Sequence, residues 1–519
     1  LTALQILTSL LLAYCILLGI CRLLFSSLSH VPGPKLAAIT SWYEFYYNVV
    51  LGGKFFLKIE TLHEEYGPII RIGPNEVHIS DPSFHSTIYS STSKRNKTPS
   101  IYTNACWQRT SAFSTLEHDY HRLRRSMLNP FFSTSKIRSF APWIQDRVST
   151  LCERFNTEFK TTSSSPSPEM PKILNLTNAF SCLTADTVME YSFASHYDLS
   201  ATSPDFESDL ITVLVDISRQ ITAQLTRTSH SHQDVSHTTI FAELLSSPQA
   251  TSASKSKNEN EKSHLRLFDE AQIIVTAGLE TTATALAVAM FYILEDRDVY
   301  GRLRKEMDEV WGELGDGEEP TLVRLEGCVY LTGVICEALR LSYGPISRLP
   351  RTSPSQTQIY TNPTTRVSYP LPPGTIMSTS TYTLHQNTLI FPNPKAFLPS
   401  RWLPDSVTGD VARAPLLSSS STASSSPFPT SEAPNSKSQT GMNGSPNGEK
   451  LTTYLASFGK GSRSCLGMNL AWAELYITLA NVVRKCEMEL WETGRECVVP
   501  EREYFLGRMK GEGIRVRVL

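Results

Sequence analysis

The sequence predicts a mainly α-helical protein with a small β-sheet, an α+β fold. The apolar segment Phe268–Leu294 is long enough for a helix that crosses a domain. Most of Leu116–Phe241 also has a helical pattern. Two short β-type segments, Ile69–Pro74 and Glu76–Ile79, are separated by a Gly-Pro turn. These two segments place the small sheet in the N-terminal half of the chain.

The first residues of the chain form an apolar segment. Leu1–Cys21 contains no charged residue, and the first charge is Arg22. A helix of about 20 apolar residues spans a bilayer. A cleaved signal peptide is the alternative, but the segment has no basic start and no small-residue cleavage site. We expect a transmembrane anchor at residues 1–25 and one globular domain at residues 26–519, which Arg22 and Lys35 would keep in the cytosol.

Composition excludes several classes of function. The 519 residues are 40% hydrophobic and 19% charged, with a formal net charge of -2. No global positive field therefore draws the chain to nucleic acid. The ten cysteines include no CxxC pair, which argues against a zinc site or a disulfide framework and indicates a reducing compartment.

Two polar stretches interrupt the globular region. Residues 246–263 indicate a surface loop. Residues 405–450 are crowded with Ser, Pro, Asn, Gly and Thr. This composition cannot bury enough apolar surface to offset the entropy of ordering. We expect a disordered, Ser-rich surface insertion there.

One cysteine lies in a distinctive frame. Cys465 is accompanied by Phe458, Gly461, Arg463 and Gly467, and a helix-forming run follows. Glycine lets the backbone approach a flat macrocycle, and arginine offers donors to a propionate. A helix N-terminus after the cysteine favours a thiolate. A buried structural cysteine is the ordinary alternative, but the whole frame predicts a thiolate ligand for haem iron.

The long apolar segment carries an irregular patch, Ala277-Gly-Leu-Glu280-Thr281-Thr282. A glycine inside a helix costs about 1 kcal/mol relative to alanine, and threonine is a poor helix former. A carboxylate among apolar turns requires a partner or a purpose. By itself the patch is equally consistent with a tolerated irregularity in a buried helix.

Two further patterns are weak when taken alone. Glu337 and Arg340 lie at i and i+3 of a predicted helix, the spacing of an ordinary ion pair. His121-Arg-Leu-Arg-Arg125 is a basic helical segment, and a solvated basic face is its usual meaning.

Taken together, these motifs resemble the cytochrome P450 superfamily. Residues 458–467 match its haem-binding pattern Phe-x-x-Gly-x-Arg-x-Cys-x-Gly at every fixed position. The anchor, the proline-rich hinge at residues 32–34 and the remaining motifs follow in the family's order. Several segments, such as Glu-Ala-Leu-Arg-Leu-Ser-Tyr-Gly, more narrowly resemble fungal trichodiene-oxygenase-like members of secondary metabolism.

The resemblance implies roles for individual residues around the haem. Cys465 would hold the iron. The small residues around Ala277 would open a groove for dioxygen. Glu280 would be the acid of the proton-delivery path, and Thr281 would supply the hydroxyl that steadies the oxygen.

It also implies contacts with the haem propionates. In the family a Trp-x-x-x-Arg pattern reaches a propionate, and here His121 replaces the tryptophan while Arg125 matches the arginine. Arg351 and His385 are weaker propionate candidates. The other basic residues of the segment, Arg122 and Arg124, would dock an acidic reductase.

Three more residues have a structural role by resemblance. Glu337 and Arg340 would pair with a second arginine, Arg401, to lock the core around the haem loop. The family's usual glutamate beside that arginine is Ser400 in this chain.

The implied activity is insertion of one oxygen atom from O₂ into an apolar small molecule, a terpenoid or a polyketide. Haem b would be the cofactor, and NADPH would supply electrons through a cytochrome reductase. The resemblance further implies a single-pass protein of the endoplasmic reticulum membrane whose catalytic domain faces the cytosol.

The region before residue 239 departs from the family, because it is too short for the F and G helices that roof the substrate pocket. A missed exon would explain the shortening, and residues 405–450 could be retained intron sequence. A haem-binding relic is therefore an alternative. Haem-thiolate isomerases or dehydratases that do not use O₂ are a third, against which the Glu280–Thr281 pair argues.

Overall fold

The computed structural model describes residues 2–102, 108–160, 172–195, 197–206, 239–246, 261–403 and 450–519. Within these ranges the protein is mostly helical with several small sheets, as the sequence predicts. The expected loop at 246–263, the shortened region before residue 239 and the insertion at 405–450 lie almost wholly outside the described residues.

Seventeen α-helices occur in the described residues, and some of the longer ones begin at side-chain caps. Asn175 accepts from the N–H groups of Thr177 and Asn178, and Ser263 accepts from Arg266 N–H. The helices are α1 Thr2–Ile20, α2 Lys35–Ile39, α3 Trp42–Phe45, α4 Phe55–Tyr66, α5 His85–Ile88, α6 Pro99–Tyr102, α7 His118–Leu128, α8 Thr134–Glu158, α9 Leu176–Phe193, α10 Leu199–Thr202, α11 Ile240–Ser246, α12 His264–Glu295, α13 Arg297–Gly312, α14 Leu322–Glu326, α15 Val329–Ser342, α16 Thr381–His385 and α17 Met468–Lys485.

Short helical turns of other types connect these elements. The π-type turns are Cys21–Phe25 and Tyr46–Val50. The 3₁₀ turns are Pro82–Phe84, Pro204–Phe206, Pro399–Trp402, Leu451–Tyr454, Gly461–Arg463 and Arg495–Cys497.

Helix α12 forms the centre of the core. It contains the predicted Phe268–Leu294 segment and extends it by four residues at the start and one at the end. It packs against α9, α15 and α17. Because apolar side chains cover nearly all its sides, it can be buried along much of its length. Its length and hydropathy would also suit a membrane span, but its burial identifies it as a core helix.

The main sheet has five strands in the order β1-β2-β8-β5-β3. Strands β1 Ile69–Gly73 and β2 Glu76–Ile79 are the two predicted strands, and they pair antiparallel. The sheet was expected in the N-terminal half of the chain, and this is only partly correct. Strands β5 Arg351–Thr352 and β8 Ile376–Ser378 join β3 Asn96–Lys97 in the same sheet. Strands of two or three residues are too short to leave a period in the sequence.

Three smaller sheets complete the described β-structure. A three-stranded sheet joins β4 Leu174–Asn175 to strands close to the C-terminus, and two hairpins stand apart. The remaining strands are β6 Gln358–Thr361, β7 Ser368–Leu371, β9 Met488–Leu490, β10 Arg502–Tyr504, β11 Leu506–Arg508 and β12 Arg515–Val518.

The N-terminal apolar helix α1 is present and projects from the domain. The segment Ala3–Phe25 is long and apolar enough to cross a membrane, and only 6% of its most apolar window is buried. Just beyond it, Leu28 has no exposed surface and belongs to a core cluster with Ile69 and Val77. Leu28 is therefore part of the globular core, and the domain boundary at residue 26 stays a prediction.

Candidate active site

The site is built around a tight loop that precedes α17. Cys465 N–H donates to Phe458 O at 2.7 Å, closing the loop on itself. The ring of Phe458 lies 6.1 Å from that of Trp472 on α17. The side chain of Cys465 is exposed, although protein atoms surround it closely enough to shift its pKa. The sulfur therefore lies at the base of a concave surface.

The electrostatics of the thiol differ in part from the expectation. Burial raises the pKa of Cys465, while the Gly467 N–H and the charge of Arg125 oppose this rise. The N–H at the start of α17 thus acts in the predicted direction, but desolvation is the larger effect. A coordinated metal removes the proton of a thiol outright. The Cys465 thiol is therefore suited to ligate an iron, although its surroundings do not favour a free thiolate.

The two glycines of the cysteine frame, Gly461 and Gly467, have different surroundings. Gly461 has φ +72°, and a Cβ there would collide with the backbone carbonyls of Tyr89 and Ser90. Its close approach is therefore to protein, not to a macrocycle as the sequence suggested. A Cβ on Gly467 would meet nothing within 4 Å. Only Gly467 leaves open space where a flat cofactor would lie.

Two predicted arginines, Arg463 and Arg125, donate hydrogen bonds at this loop, and a third, Arg351, lies near Arg463. Arg463 donates to Thr115 O and Leu116 O, both at 2.7 Å. Arg125 donates to Ser464 O and, at 3.4 Å, to Cys465 O. Burial, together with the charges of Arg351 and Arg125, lowers the pKa of Arg463 to about 9.

His121 lies within the same group of cations. It is 5% exposed, and its Nδ1 has no hydrogen-bond partner among the described residues. Burial lowers its pKa, and so do the charges of Arg463, Lys97, Arg125 and Arg351. The structure therefore brings His121 and all three arginines together.

The group is suited to the two carboxylates of a haem. Among the described residues, none of Arg125, Arg351 and Arg463 forms an ion pair with a carboxylate. Arg351 is 4% exposed, whereas Arg125 and Arg463 are half-buried, and cations withdrawn from water in this way are normally paired. Three guanidiniums, an unpartnered imidazole nitrogen and a thiol at the base of the concavity match the donors that a haem with two propionates requires. No cluster of three or more His, Cys, Asp or Glu side chains in the described part of the chain offers another metal site.

Lys97 is a member of this group that sequence reasoning missed. It lies on β3, 6% exposed, with its Nζ 4.1 Å from the ring centroid of Tyr102. Arg351 Nη1 donates to Tyr102 Oη at 2.6 Å. A single lysine in a two-residue strand carries no sequence signal, so only the folded chain reveals it.

The expectation that Arg124 docks a reductase is wrong. Arg124 is 5% exposed and pairs with Glu261 at 2.8 Å. Arg266 binds the same carboxylate at 3.1 Å. This buried network ties α7 to the start of α12. Arg122, by contrast, is exposed on α7.

Glu337 is the fully buried centre of a hydrogen-bond network. Its carboxylate accepts from Arg340 Nε and Nη2 at 2.9 and 2.7 Å and from Arg401 Nε at 3.0 Å. Trp402 Nε1 at 2.8 Å and Leu398 N–H at 3.0 Å complete the set. The arrangement brings the three predicted residues together and leaves little capacity for any other partner.

His385 is not available to a propionate, contrary to the expectation. Its Nδ1 is 2.8 Å from Arg340 O, and its Nε2 accepts from Ala456 N–H at 2.9 Å. Both ring nitrogens are therefore engaged. Since Ala456 lies two residues before Phe458, His385 connects the Glu337 network to the cysteine loop.

The irregular patch of α12 has two faces. Ala277 is exposed, whereas a Cβ on Gly278 would lie 2.8 Å from Val188 on α9. The glycine is thus explained by helix packing, and Ala277 lies on the open face. Thr281 Oγ1 donates to Ala277 O at 2.7 Å. Glu280 is partly exposed and pairs with Arg508 of β11 at 3.4 Å.

Glu474 is a second residue that the sequence reasoning missed. It is 3% exposed on α17, and hydroxyls of Thr187 and Thr282 are hydrogen-bonded to it. Burial raises its pKa well above the usual range, and its contact with Thr282 joins α17 to the middle of α12. A lone carboxyl within the apolar run of residues 470–477 is the signal that could have indicated it.

The chain is similar in sequence to a known protein family and to several known proteins. The cytochrome P450 family model matches residues 36–228 and 204–513. The two matched segments overlap at residues 204–228, within the region that the sequence predicts to be shortened.

Similar proteins include fungal monooxygenases. Cytochrome P450 monooxygenase pbrB of Penicillium brasilianum is 34% identical, covering 91% of this chain and 88% of its own. Conidiogenone synthase PchP450 of Penicillium rubens is 33% identical, covering 96% of each. Cytochrome P450 monooxygenase TRI4 of Trichoderma arundinaceum is 30% identical, covering 90% of this chain and 85% of its own.

Proposed function

Since the chain belongs to the cytochrome P450 family and is a monooxygenase, we propose that it holds haem b on Cys465 and oxygenates an apolar small molecule. The observation that carries this proposal is the convergence of one accessible cysteine with Arg125, Arg351 and Arg463. Their charges face the cysteine loop and have no carboxylate partner in the described residues.

The protein's residues would bind and orient the cofactor. Arg125, Arg351 and Arg463 neutralise its two propionates, and His121 offers a further hydrogen bond through Nδ1. Cys465 supplies the thiolate, and Gly467 leaves room beside it. When bound, the haem activates O₂ with electrons delivered one at a time, and the thiolate favours cleavage of the O–O bond.

Proton delivery is assigned to α12. The carboxyl of Glu280 is 31% exposed and therefore exchanges protons with solvent. Thr281 is adjacent in the chain, and its Oγ1 can move from the Ala277 carbonyl to pass a proton into the open space. Arg508 restricts the orientation of Glu280, so it acts as a positioning residue.

The electron source and location are part of the same proposal. NADPH supplies electrons through a membrane-bound reductase, which Arg122 helps to dock because it is the exposed cation of α7. Helix α1 anchors the protein in the endoplasmic reticulum membrane as a single span, with the domain in the cytosol. Fractionation of microsomes and protease protection of the domain test this arrangement.

The proposed substrate is a terpenoid or a polyketide. Its support is the likeness to fungal enzymes such as the conidiogenone synthase and the TRI4 monooxygenase. A panel of apolar terpenoids and polyketides, screened by the shift of the Soret band on binding, tests it. Tryptophan belongs in the panel, since one relative is a tryptophan 6-hydroxylase, fscE of Fusarium equiseti.

Cys465→Ser tests the central assignment. The wild-type protein should show the thiolate band of the reduced CO complex, and the variant should lose it. Cys497→Ser is the matched control, since Cys497 is also partly accessible but lies in a different turn. Retention of the band in Cys465→Ser would refute the assignment. A thiolate band without NADPH-coupled oxidation would favour the relic.

A further inference from the structure

Two buried carboxylates of α12 hold the chain that leads into α7. Thr110 donates to Asp269 Oδ2 through its N–H at 2.8 Å and through its hydroxyl at 2.6 Å. Ala112 N–H donates to Glu270 at 2.8 Å. Both acids lie in the second turn of α12 and are 6 and 2% exposed. We call residues 110–116 the Phe113 loop.

The two carboxylates differ in their other partners. Glu270 also pairs with Arg266, which belongs to the network that ties α7 to α12. No lysine or arginine in the described part of the chain pairs with Asp269. A carboxylate withdrawn from water is costly unless it accepts hydrogen bonds. Because the described donors to its side chain both belong to Thr110, Asp269 acts on the Phe113 loop alone.

The other end of the Phe113 loop meets the cations of the cysteine site. Lys97 Nζ donates to Phe113 O. Arg463 donates to Thr115 O and Leu116 O. Carboxylates therefore bind N–H groups at the start of the loop, and cations bind carbonyl groups at its end. Since Arg463 is proposed to neutralise a propionate, the loop reaches the edge of the proposed haem.

The side chain of Phe113 forms a pair with Phe505. Their rings meet edge to face, with centroids 5.9 Å apart and planes at 89°. Phe505 lies in the turn between β10 and β11, and the same hairpin carries Arg508, which pairs with Glu280 of α12. The loop is thus bound to Arg463 of the cysteine frame and the hairpin to α12. The aromatic pair therefore spans the gap between the cysteine loop and the open face of α12.

We propose that Asp269 is a positioning residue that holds Phe113 against Phe505 and thereby limits the bulk of a ligand that reaches the open side of the haem. This rests on the proposed haem site. Asp269 does not touch the cofactor or the substrate and acts through Thr110. Without its carboxylate the start of the loop is released, Phe113 withdraws from Phe505, and the passage between them widens.

Azole ligands of different bulk measure this passage in the haem-loaded, full-length protein. Imidazole and 4-phenylimidazole both bind a ferric haem through a ring nitrogen and shift its Soret band. The ratio of their dissociation constants cancels most of the iron–nitrogen bond and reports the room for the phenyl group. We expect Asp269→Ala to change this ratio by about fivefold or more in favour of 4-phenylimidazole.

Two matched variants accompany this measurement. Asp269→Asn keeps an oxygen that can accept from Thr110, so its ratio should stay within about twofold of the wild type. Glu306→Ala removes a carboxylate of α13 that accepts from the N–H groups of Tyr330 and Leu331 at 2.9 and 2.8 Å. It breaks the same kind of contact far along the chain from the loop and should leave the ratio unchanged.

A double variant separates positioning from a general loss of structure. Phe113→Ala should shift the ratio in the same direction as Asp269→Ala. Asp269→Ala/Phe113→Ala should shift it no further, because the two changes act through one side chain. Amide hydrogen exchange in residues 110–116 should become faster in Asp269→Ala and stay unchanged in Glu306→Ala.

An unchanged ratio in Asp269→Ala would overturn the proposal, and so would additive shifts in the double variant. If Asp269→Ala does not fold, Thr110→Val replaces it, since it removes only the hydroxyl donor. It should shift the ratio the same way by a smaller factor, and an unchanged ratio would again refute the positioning role. The reduced CO band is recorded for every variant. Its absence from the wild type would refute the haem proposal, and hydrogen exchange would still test the hold of Asp269 on the loop.

Discussion

Glu337→Gln tests whether the buried network around Glu337 is structural, as proposed, or takes part in the reaction. The substitution keeps the shape but replaces one carboxylate oxygen by an amide NH₂. At Oε2 that group would face Arg340 Nε and Trp402 Nε1, which are both donors. Arg340 and Arg401 would also lose their shared negative charge.

The expected magnitude follows from this geometry. Glu337 and Arg340 are both 0% exposed, so water cannot replace the lost bonds. Breaking a buried ion pair costs about 3–5 kcal/mol. That is a large part of the roughly 5–15 kcal/mol by which folded domains are stable. We therefore expect Glu337→Gln to fold poorly and to incorporate little haem.

Guanidinium unfolding of the haem-loaded protein, followed by circular dichroism and by the CO band, measures this loss. Glu309→Gln is the control, because its pairing with Lys305 at 4.0 Å is exposed and should contribute under about 1 kcal/mol. Turnover per haem-loaded molecule should stay near wild type in both variants. Nearly unchanged stability of Glu337→Gln with a loss of turnover per haem would refute a structural role.

Three further predictions concern oxygen activation, pH and the insertion. Thr281→Ala should keep haem but release peroxide at the expense of product, and unchanged coupling of NADPH to product would indicate another proton route. Burial lowers the pKa of His385 to about 3, so the unfolded chain binds more protons below pH 6.5. The stability that neutral His385 contributes is then complete above pH 6.5 and falls by about 1 kcal/mol per pH unit towards pH 3. His385→Gln should flatten that slope in unfolding midpoints, and an unaltered slope would contradict the assignment. Replacing residues 405–450 by a short Gly-Ser joint should preserve haem incorporation and gain about 1 kcal/mol or less. Limited proteolysis of the wild type should cut there first, and a resistant segment would be ordered.

Local features whose signals are contiguous in the chain can be predicted from the sequence. The length and apolarity of α12 are set by side chains near one another in the chain, and so are the β-type segments of β1 and β2 with the Gly-Pro turn between them. The cysteine frame at residues 458–467 is equally local. Such patterns predict elements because helix and strand periods are properties of the backbone.

Contacts between residues that are distant in the chain depend on how the elements pack. Arg463, Arg351 and His121 converge because β5 and α7 pack against the cysteine loop, and no spacing in the sequence encodes that packing. Arg124 and His385 were misjudged for the same reason. Each has the chemistry of a surface or propionate contact, but folding buried the first against Glu261 and used both nitrogens of the second. A polar group binds the partner that burial leaves within reach, and burial is a property of the whole fold.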